Sequence, residues 1–315
     1  MPKGYPHLNP QALKLIEASM DARIAFIQRD RFIPYQAVAR ILELLEDFVN
    51  RPPSIRPPCL ALVGDSGCGK STLMEEMTRR HTNPEEPGTR KVIYCTLDPL
   101  PELRVSQQAL LSALGVPPTL TLRRPRMDAD DLIARSLRQL GTRLVIFDET
   151  LHMTNLNRRS QVLQWDWVKW VSTANRVSVV CTGTPGFEQT IRQEAQLETR
   201  FNIMRIPRWS VGATFQQFLS SYEQSLPLRR PSGLGTLVMQ EALLQESAIK
   251  QQIPGITQGI KQVLEHAAIE AIRRGAERIS VPLLSAWRDA FEPQMWARPN
   301  TTRSARPRSA EPRRI

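Results

Sequence analysis

Residues 64–71 read Gly64-Asp65-Ser66-Gly67-Cys68-Gly69-Lys70-Ser71, a G-x-x-x-x-G-K-[ST] run directly behind the apolar stretch Cys59 to Val63. A buried strand, a glycine-rich loop and then a helical run from Thr72 to Arg80 commit the chain to an α/β core. Glycines let backbone N–H groups close around phosphate oxygens, and the helix that follows turns its positive end toward the same anion. Residues Gly64, Asp65, Ser66, Gly67, Cys68, Gly69, Lys70, Ser71 and Thr72 are therefore the expected nucleotide-binding set, for ATP. Lys70 is expected to hold the β/γ-phosphates and Ser71 a Mg2+ ion. A chance glycine-rich turn would not carry both the strand before it and the helix after it.

A second element points from binding to hydrolysis. Leu144-Val145-Ile146-Phe147-Asp148-Glu149 is an apolar strand ending in two carboxylates, the pattern of a Walker B strand. Asp148 is expected to hold water on the Mg2+, and Glu149 to orient and polarise the attacking water. An ordinary strand with a solvated acidic end is the rival reading, and it weakens once the phosphate loop is present.

At 315 residues and 41% hydrophobic content the chain can bury one sizeable α/β core and a smaller helical unit. Its 42 Lys+Arg against 31 Asp+Glu leave a net charge of +11, which favours a polyanionic partner. Part of that charge is local, in the stretch Arg298 to Ile315, where six arginines and one glutamate lie among prolines and serines. Such a stretch is expected to be disordered, either as a solvated tail or as an arm on nucleic acid.

The four cysteines, Cys59, Cys68, Cys95 and Cys181, show neither a C-x-x-C pair nor metal spacing, which fits a reducing cytosol. Cys68 is read as a small space-filling residue, with an oxidation-sensitive thiol at a helix N-terminus as the alternative. No signal-peptide core and no apolar stretch of about 18 residues is present, so a soluble, cytoplasmic protein without membrane contact is expected.

Helical spacing from Pro10 to Asn50, broken at Ile33-Pro34, predicts two helices, and Arg51 to Pro58 predicts a stiff extended linker. Lys91 to Leu97 is expected as a second strand, followed by a helix at 106–114, a basic loop Leu122-Arg123-Arg124-Pro125-Arg126, and a helix at 130–140. One strand between the two Walker strands suggests the additional-strand class of P-loop ATPases. Gln161 to Ala174 is expected as a helix with Leu163, Trp167, Trp170 and Val171 on one face and Trp165 on another, its tryptophans packing a core or stacking on bases. Val177 to Cys181 then forms a strand that runs into Thr182-Gly183-Thr184-Pro185. Thr184 is the preferred residue to face the γ-phosphate, and Thr182 is the alternative.

The order of phosphate loop, Asp148-Glu149-Thr150-Leu151-His152, Gly183-Thr184-Pro185 and then Arg200-Phe201 resembles AAA+ ATPases of the initiator and helicase-loader clade. Within that clade the chain resembles TniB, the ATP-binding transposition protein related to TnsC. Pro207-Arg208-Trp209, Ser225-Leu226-Pro227-Leu228-Arg229-Arg230-Pro231-Ser232 and Gly255-Ile256-Thr257-Gln258-Gly259-Ile260 carry the likeness further, over about residues 10–290.

The resemblance implies an additional-strand AAA+ fold: N-terminal helices and linker over 1–58, an α/β core over 59–208, a helical lid over 209–297 and a basic tail over 298–315. It implies an ATPase that assembles head to tail on double-stranded DNA as a ring or helical filament. Such an assembly relays target choice, often through a TniQ-type protein, to an integrase-like transposase. Arg200 matches the finger that completes a neighbour's site, where a guanidinium would stabilise charge on the phosphoryl oxygens. A surface arginine paired with Glu198 is the plainer alternative. The chain departs from many AAA+ proteins in offering Thr257 and Lys261 where a sensor arginine is common.

For DNA phosphates, Arg104, Arg123, Arg124 and Arg126 are the first candidates in the core, with a solvated loop as the alternative. The four histidines, His7, His81, His152 and His266, are scattered, and no Ser/His/Asp triad or two-metal nuclease set is evident, so DNA cutting is assigned to a partner. A helicase loader of replication, or a nucleotide-gated signalling scaffold that never touches DNA, are the competing functions.

Overall fold

The computed structural model describes residues 4–83, 85–86, 88–97, 102–117, 129–150 and 156–291. Five parallel strands, β1 (Cys59–Val63), β2 (Val92–Thr96), β3 (Leu144–Asp148), β4 (Ser178–Gly183) and β5 (Phe201–Arg205), form one sheet in the order β2-β3-β4-β1-β5. The order places β4 between the strand that leads into the phosphate loop and the strand that ends in Asp148. Every residue of β1, β3 and β4 is buried, which is why these strands read as unbroken apolar runs rather than as alternating ones.

Helices cover both faces. Alternate strand residues Ala61, Val63, Val145, Phe147, Val179 and Cys181 face a cluster built by α5 (Leu103–Ala113), α6 (Ala129–Gln139), α7 (Arg158–Asn175) and α8 (Pro185–Gln193). Their neighbours Leu60, Leu62, Leu144, Ile146 and Val180 face α3 (Gln36–Asn50) and α4 (Lys70–Arg80). The amphipathic α3 buries Val38, Ile41, Leu42, Leu45, Phe48 and Val49, and stops at Arg51-Pro52-Pro53, where helix geometry fails.

A third apolar cluster joins α10 (Ala213–Gln224), α11 (Leu237–Gln251), α12 (Thr257–Arg273) and the short α13 (Ala286–Phe291). The one-turn α9 (Ala195–Glu198) leads into β5. Before α3 lie two short helices, α1 (Pro10–Leu13) and α2 (Met20–Ile27), where the periodicity predicted one; Asn9 and Ser19 cap them separately. The helices ahead of the linker divide between the clusters. Ile27 of α2 packs into the helical cluster, and Arg23, 3% exposed, donates to the Pro227 carbonyl at 2.6 and 2.9 Å and pairs with Glu277 at 2.5 Å. In contrast, α3 lies on the sheet.

The buried face of α7 differs from the expected one. Leu163 is 50% exposed, while Gln164, Trp165, Trp167, Val168 and Val171 are buried. Trp165 stacks on Phe187 at 5.6 Å and meets Phe201 edge-on, and Trp167 leans on Phe147 at 5.5 Å. The larger indole takes the inward position over the sheet and turns Leu163 out. Trp165 and Trp167 are therefore core residues rather than base-stacking ones.

Candidate functional site

The carboxyl ends of β1, β3 and β4 meet at the phosphate loop. Gly67 and Gly69 adopt φ of 75° and 97°, a left-handed region open to glycine, which curls the loop so that Gly69 caps α4. Lys70 donates through Nζ to the carbonyls of Gly64 at 2.8 Å and Asp65 at 2.9 Å, which stations its charge at the loop. A Cβ on Gly64 would stand 2.6 Å from Cys68 Sγ, so Cys68 fills the space that the glycine leaves. Burial raises the Cys68 thiol pKa more than the nearby Lys70 lowers it, which favours the space-filling reading over a reactive thiolate.

Asp148 is 2% exposed and is held on every side. Its Oδ1 accepts the Thr182 hydroxyl and, at 2.9 Å, the Glu149 N–H; its Oδ2 accepts the Tyr94 hydroxyl at 2.5 Å. Burial would raise its pKa, but hydrogen bonds from Thr182, Tyr94, Ser71 and the Glu149 backbone together hold it below the ordinary carboxylate value. An ionised carboxylate beside a hydroxyl is a hard oxygen donor set that fits Mg2+, which takes few protein ligands and keeps several waters. Among the described residues no three His, Cys, Asp or Glu side chains are grouped as a metal-ion cluster.

Glu149 follows with φ of 59° and an exposed side chain. A non-glycine residue in this region stores strain, and here it swings the Glu149 carboxylate out of the strand line beside Asp148. Thr150 is fully buried and ties this bend to β4 through two bonds to the Thr182 carbonyl, 2.6 Å from its hydroxyl and 3.1 Å from its N–H. Thr182 therefore sits inside β4 with its side chain on Asp148. Thr184 stands one residue beyond the strand as the partly exposed N-cap of α8, its side chain making no capping bond.

Residues after β5 clasp the loop. Arg208 grips Asp65 in a two-point ion pair, at 2.7 and 3.1 Å, and this hydrogen bonding holds the Asp65 carboxyl below its ordinary pKa. From α12, Gln258 N–H donates to the Gly67 carbonyl at 2.9 Å and the Thr257 hydroxyl to the Cys68 carbonyl at 3.2 Å. Trp209 in turn donates to the Thr257 hydroxyl at 3.0 Å. Lys261 is engaged elsewhere, with Asp30 at 2.6 Å and Glu265 at 3.7 Å.

A cavity of about 90 Å³ opens beside the loop, walled by Phe32 and Tyr35 before α3, Gly69 and Thr72 of the loop and α4, and Tyr222 and Lys261 of the lid. Arg200 stands apart from this site. It precedes Phe201, which pairs with Cys59 at the amino end of the sheet, and it donates to the hydroxyls of Ser172 at 3.0 Å and Thr173 at 2.9 Å. Glu198, its suggested partner, instead faces Arg192 at 3.9 Å. Arg104 lies exposed in the first turn of α5; Arg123, Arg124, Arg126 and His152 lie outside the described residues, as does the tail from Arg298.

Sequence reasoning had no role for Tyr94, Arg208 or Gln258. Tyr94 carries a faint signal, a phenol at the centre of a strand otherwise made of Val92, Ile93, Cys95 and Thr96.

With this geometry in place, the family comparison decides the assignment: the model described as "Bacterial TniB protein" matches residues 23–211. The chain belongs to the TniB family. Two structures from Aeropyrum pernix resemble this TniB-family chain. One is the ORC1 protein in complex with DNA, at 17% identity and a TM-score of 0.55, covering 85% of this chain and 69% of that one. The other is the ORC2 protein in its ADPNP-ADP complexes, at 18% identity and a TM-score of 0.56, covering 82% and 69%. These likenesses establish the P-loop AAA+ fold. Among curated proteins nothing matches. Family and fold make the TniB-family chain an AAA+ ATPase. Among its described residues no helix is long and apolar enough to cross a membrane.

Proposed function

We propose that this TniB-family ATPase assembles head to tail on double-stranded DNA, as a ring or helical filament, and links target selection to an integrase-like transposase, with a TniQ-type protein as intermediary. The observation that carries the reading is the position of Arg200. It precedes the first residue of β5, level with the start of β1, whereas the phosphate loop leaves the far end of β1. A five-residue strand spans roughly 13 Å at about 3.3 Å per residue, so Arg200 lies too far from its own loop to serve it, which supports a role at a neighbour's. A finger given in trans ties hydrolysis to assembly.

Within one protomer, Lys70 and the loop amides bind the triphosphate, and the adjoining cavity between Phe32, Tyr35 and Tyr222 accepts the base. Ser71 and Asp148 would hold Mg2+, which supplies charge neutralisation on the phosphates when bound. Tyr94 and Thr182 keep Asp148 ionised and aimed. Glu149 orients the attacking water, and Thr184, or Thr182 through Asp148, senses the γ-phosphate. The net charge of +11 and the DNA-bound state of the ORC1 relative support a DNA partner. Electron microscopy of the full chain with duplex DNA tests the proposal. Rings or filaments should form with both DNA and ATPγS; single protomers under every condition would overturn it.

A further inference from the structure

Asp65 is the one acidic side chain between Gly64 and Ser71, in a loop whose glycines suit it to an anion. Four carbonyls of that loop are taken by protein donors: Lys70 Nζ serves Gly64 and Asp65, the Gln258 N–H serves Gly67, and the Thr257 hydroxyl serves Cys68. Carbonyls turned to protein leave loop amides for phosphate. A carboxylate beside those amides works against the same ligand. This one is ionised, because the Arg208 hydrogen bond outweighs burial, with the Lys70 charge in support, and holds it below its ordinary pKa.

Arg208 belongs to a short strap, residues 206–209, that leads from β5 toward the lid. The strap meets β1 and its loop at three points: Ile206 N–H donates to the Val63 carbonyl at 2.8 Å, Arg208 takes Asp65 at 2.7 and 3.1 Å, and the Trp209 indole reaches Cys68 through Thr257. It is fixed from the lid side as well, since a Cβ on Gly255 would fall 2.3 Å from the Trp209 carbonyl oxygen. Backbone on either side of Arg208 therefore delivers its fork to Asp65. The two side chains are 49% and 24% exposed, and a pair so open to water contributes little to stability. Its effect on a neighbouring anion is another matter.

We infer that Arg208 is a positioning residue for the nucleotide: it cancels the charge of Asp65, so that the loop meets the triphosphate with Lys70 unopposed. The inference rests on the reading that this loop takes the triphosphate. Lys70 and Arg208 bracket Asp65, with Lys70 Nζ 2.9 Å from its carbonyl and the guanidinium on its carboxylate. Without Arg208, that carboxylate would face a ligand of its own sign.

Two variants break the same ion pair and leave opposite charges behind. Arg208→Ala bares the carboxylate and should weaken binding of ATPγS with Mg2+ about five- to tenfold, by less as salt rises. Asp65→Asn removes the anion and should tighten binding. The double variant should recover the affinity lost in Arg208→Ala, and Arg208→Lys should lose less of it. Titration calorimetry of the full chain reads all four beside their melting temperatures, and Asp65→Asn serves if Arg208→Ala misfolds. Weaker binding in both single variants would make the pair a structural brace and overturn the inference. So would a double variant as weak as Arg208→Ala, which would put Arg208 on the nucleotide itself. Lys70→Ala separates the two readings. Normal ATPγS binding in that variant would remove the loop as the triphosphate site, whereas loss there with wild-type affinity in Arg208→Ala would overturn this inference alone.

Discussion

Tyr94 donates its hydroxyl to Asp148 Oδ2 across 2.5 Å, from the edge strand β2 to the neighbouring β3, in a pair whose residues do not lie directly opposite one another. Thr182 holds the other oxygen from the opposite side, so the carboxylate is fixed between two strands. A hydrogen bond to a charged group contributes about 1.5–3 kcal/mol. Tyr94→Phe keeps the ring and removes only that bond. The expected result is turnover lowered about tenfold and a higher Mg2+ concentration for half-maximal activity, with nucleotide affinity nearly unchanged. A Mg2+ titration of ATPase rate beside fluorescent-nucleotide binding checks this; a wild-type Mg2+ profile would remove Tyr94 from the site.

Binding and hydrolysis should separate along Lys70 and Glu149. Lys70 lies on the loop carbonyls, whereas Glu149 has a positive φ and an exposed side chain. Lys70→Ala should lose ATP binding. Glu149→Gln should keep it while turnover drops roughly 10²- to 10⁴-fold, the usual contribution of a general base. Isothermal titration and phosphate release measure the two effects; near-normal turnover in Glu149→Gln would sink the assignment.

What the sequence made legible was what local pattern encodes. Parallel strands covered on both faces are apolar runs, so β1, β3 and β4 stood out, and the glycine spacing marked the loop. Contacts made across the fold left no such trace. The Arg208 to Asp65 grip joins residues 143 positions apart, and Gln258 reaches Gly67 from the lid. The face of α7 was misread because helical spacing alone weighs Leu163 and Trp165 alike, whereas the neighbouring helix α8 offers Phe187 as a stacking partner for the indole. Likewise α2 and α3 are neighbours in sequence but bury their faces in different clusters, which periodicity cannot reveal.

If Arg200 acts in trans, Arg200→Ala should bind ATP normally and hydrolyse it poorly. Its bonds to Ser172 and Thr173 are partly exposed, so the fold should tolerate the change. Mixing Arg200→Ala with Lys70→Ala protein should restore part of the activity, because one mixed interface joins an intact loop to an intact finger. Steady-state ATPase across mixing ratios is the measurement, and no recovery in assemblies shown to contain both chains would count against a shared site.

Acid should loosen the lid before it disturbs neutral-pH behaviour. Burial would raise the Glu277 pKa, but the Arg23 hydrogen bond and the Arg229 N–H outweigh it and leave the carboxyl below its ordinary value. A depressed carboxyl contributes stability that is complete above the unfolded pKa of about 4.3 and fades as pH falls through the folded value. Melting temperature should therefore be flat from neutral pH to about 5 and fall below about 4, with a shallower fall in Glu277→Gln. Burial instead raises the Glu265 pKa, so ionising it costs stability as pH rises. Glu265→Gln should raise the melting temperature at pH 8 more than at pH 4, and the opposite ordering would contradict the sign.

DNA should be held mainly through its phosphates, because the basic excess is large and the chain holds no base-reading motif such as a zinc finger. Arg104 is exposed at the start of α5, and Arg123, Arg124 and Arg126 follow in the segment between β2 and β3. Replacing all four with alanine should weaken binding to every duplex sequence alike. It should also flatten the dependence of log K on log salt by about 0.9 for each phosphate no longer neutralised. ATP should be needed for tight binding, since an assembled array presents many such segments at once and gains from multivalency. Filter binding across a salt series, with and without ATPγS, gives both slope and affinity. An unchanged slope with ATPase intact would move the DNA-binding surface elsewhere, first to the six arginines between Arg298 and Arg314, whose removal should then flatten the slope instead.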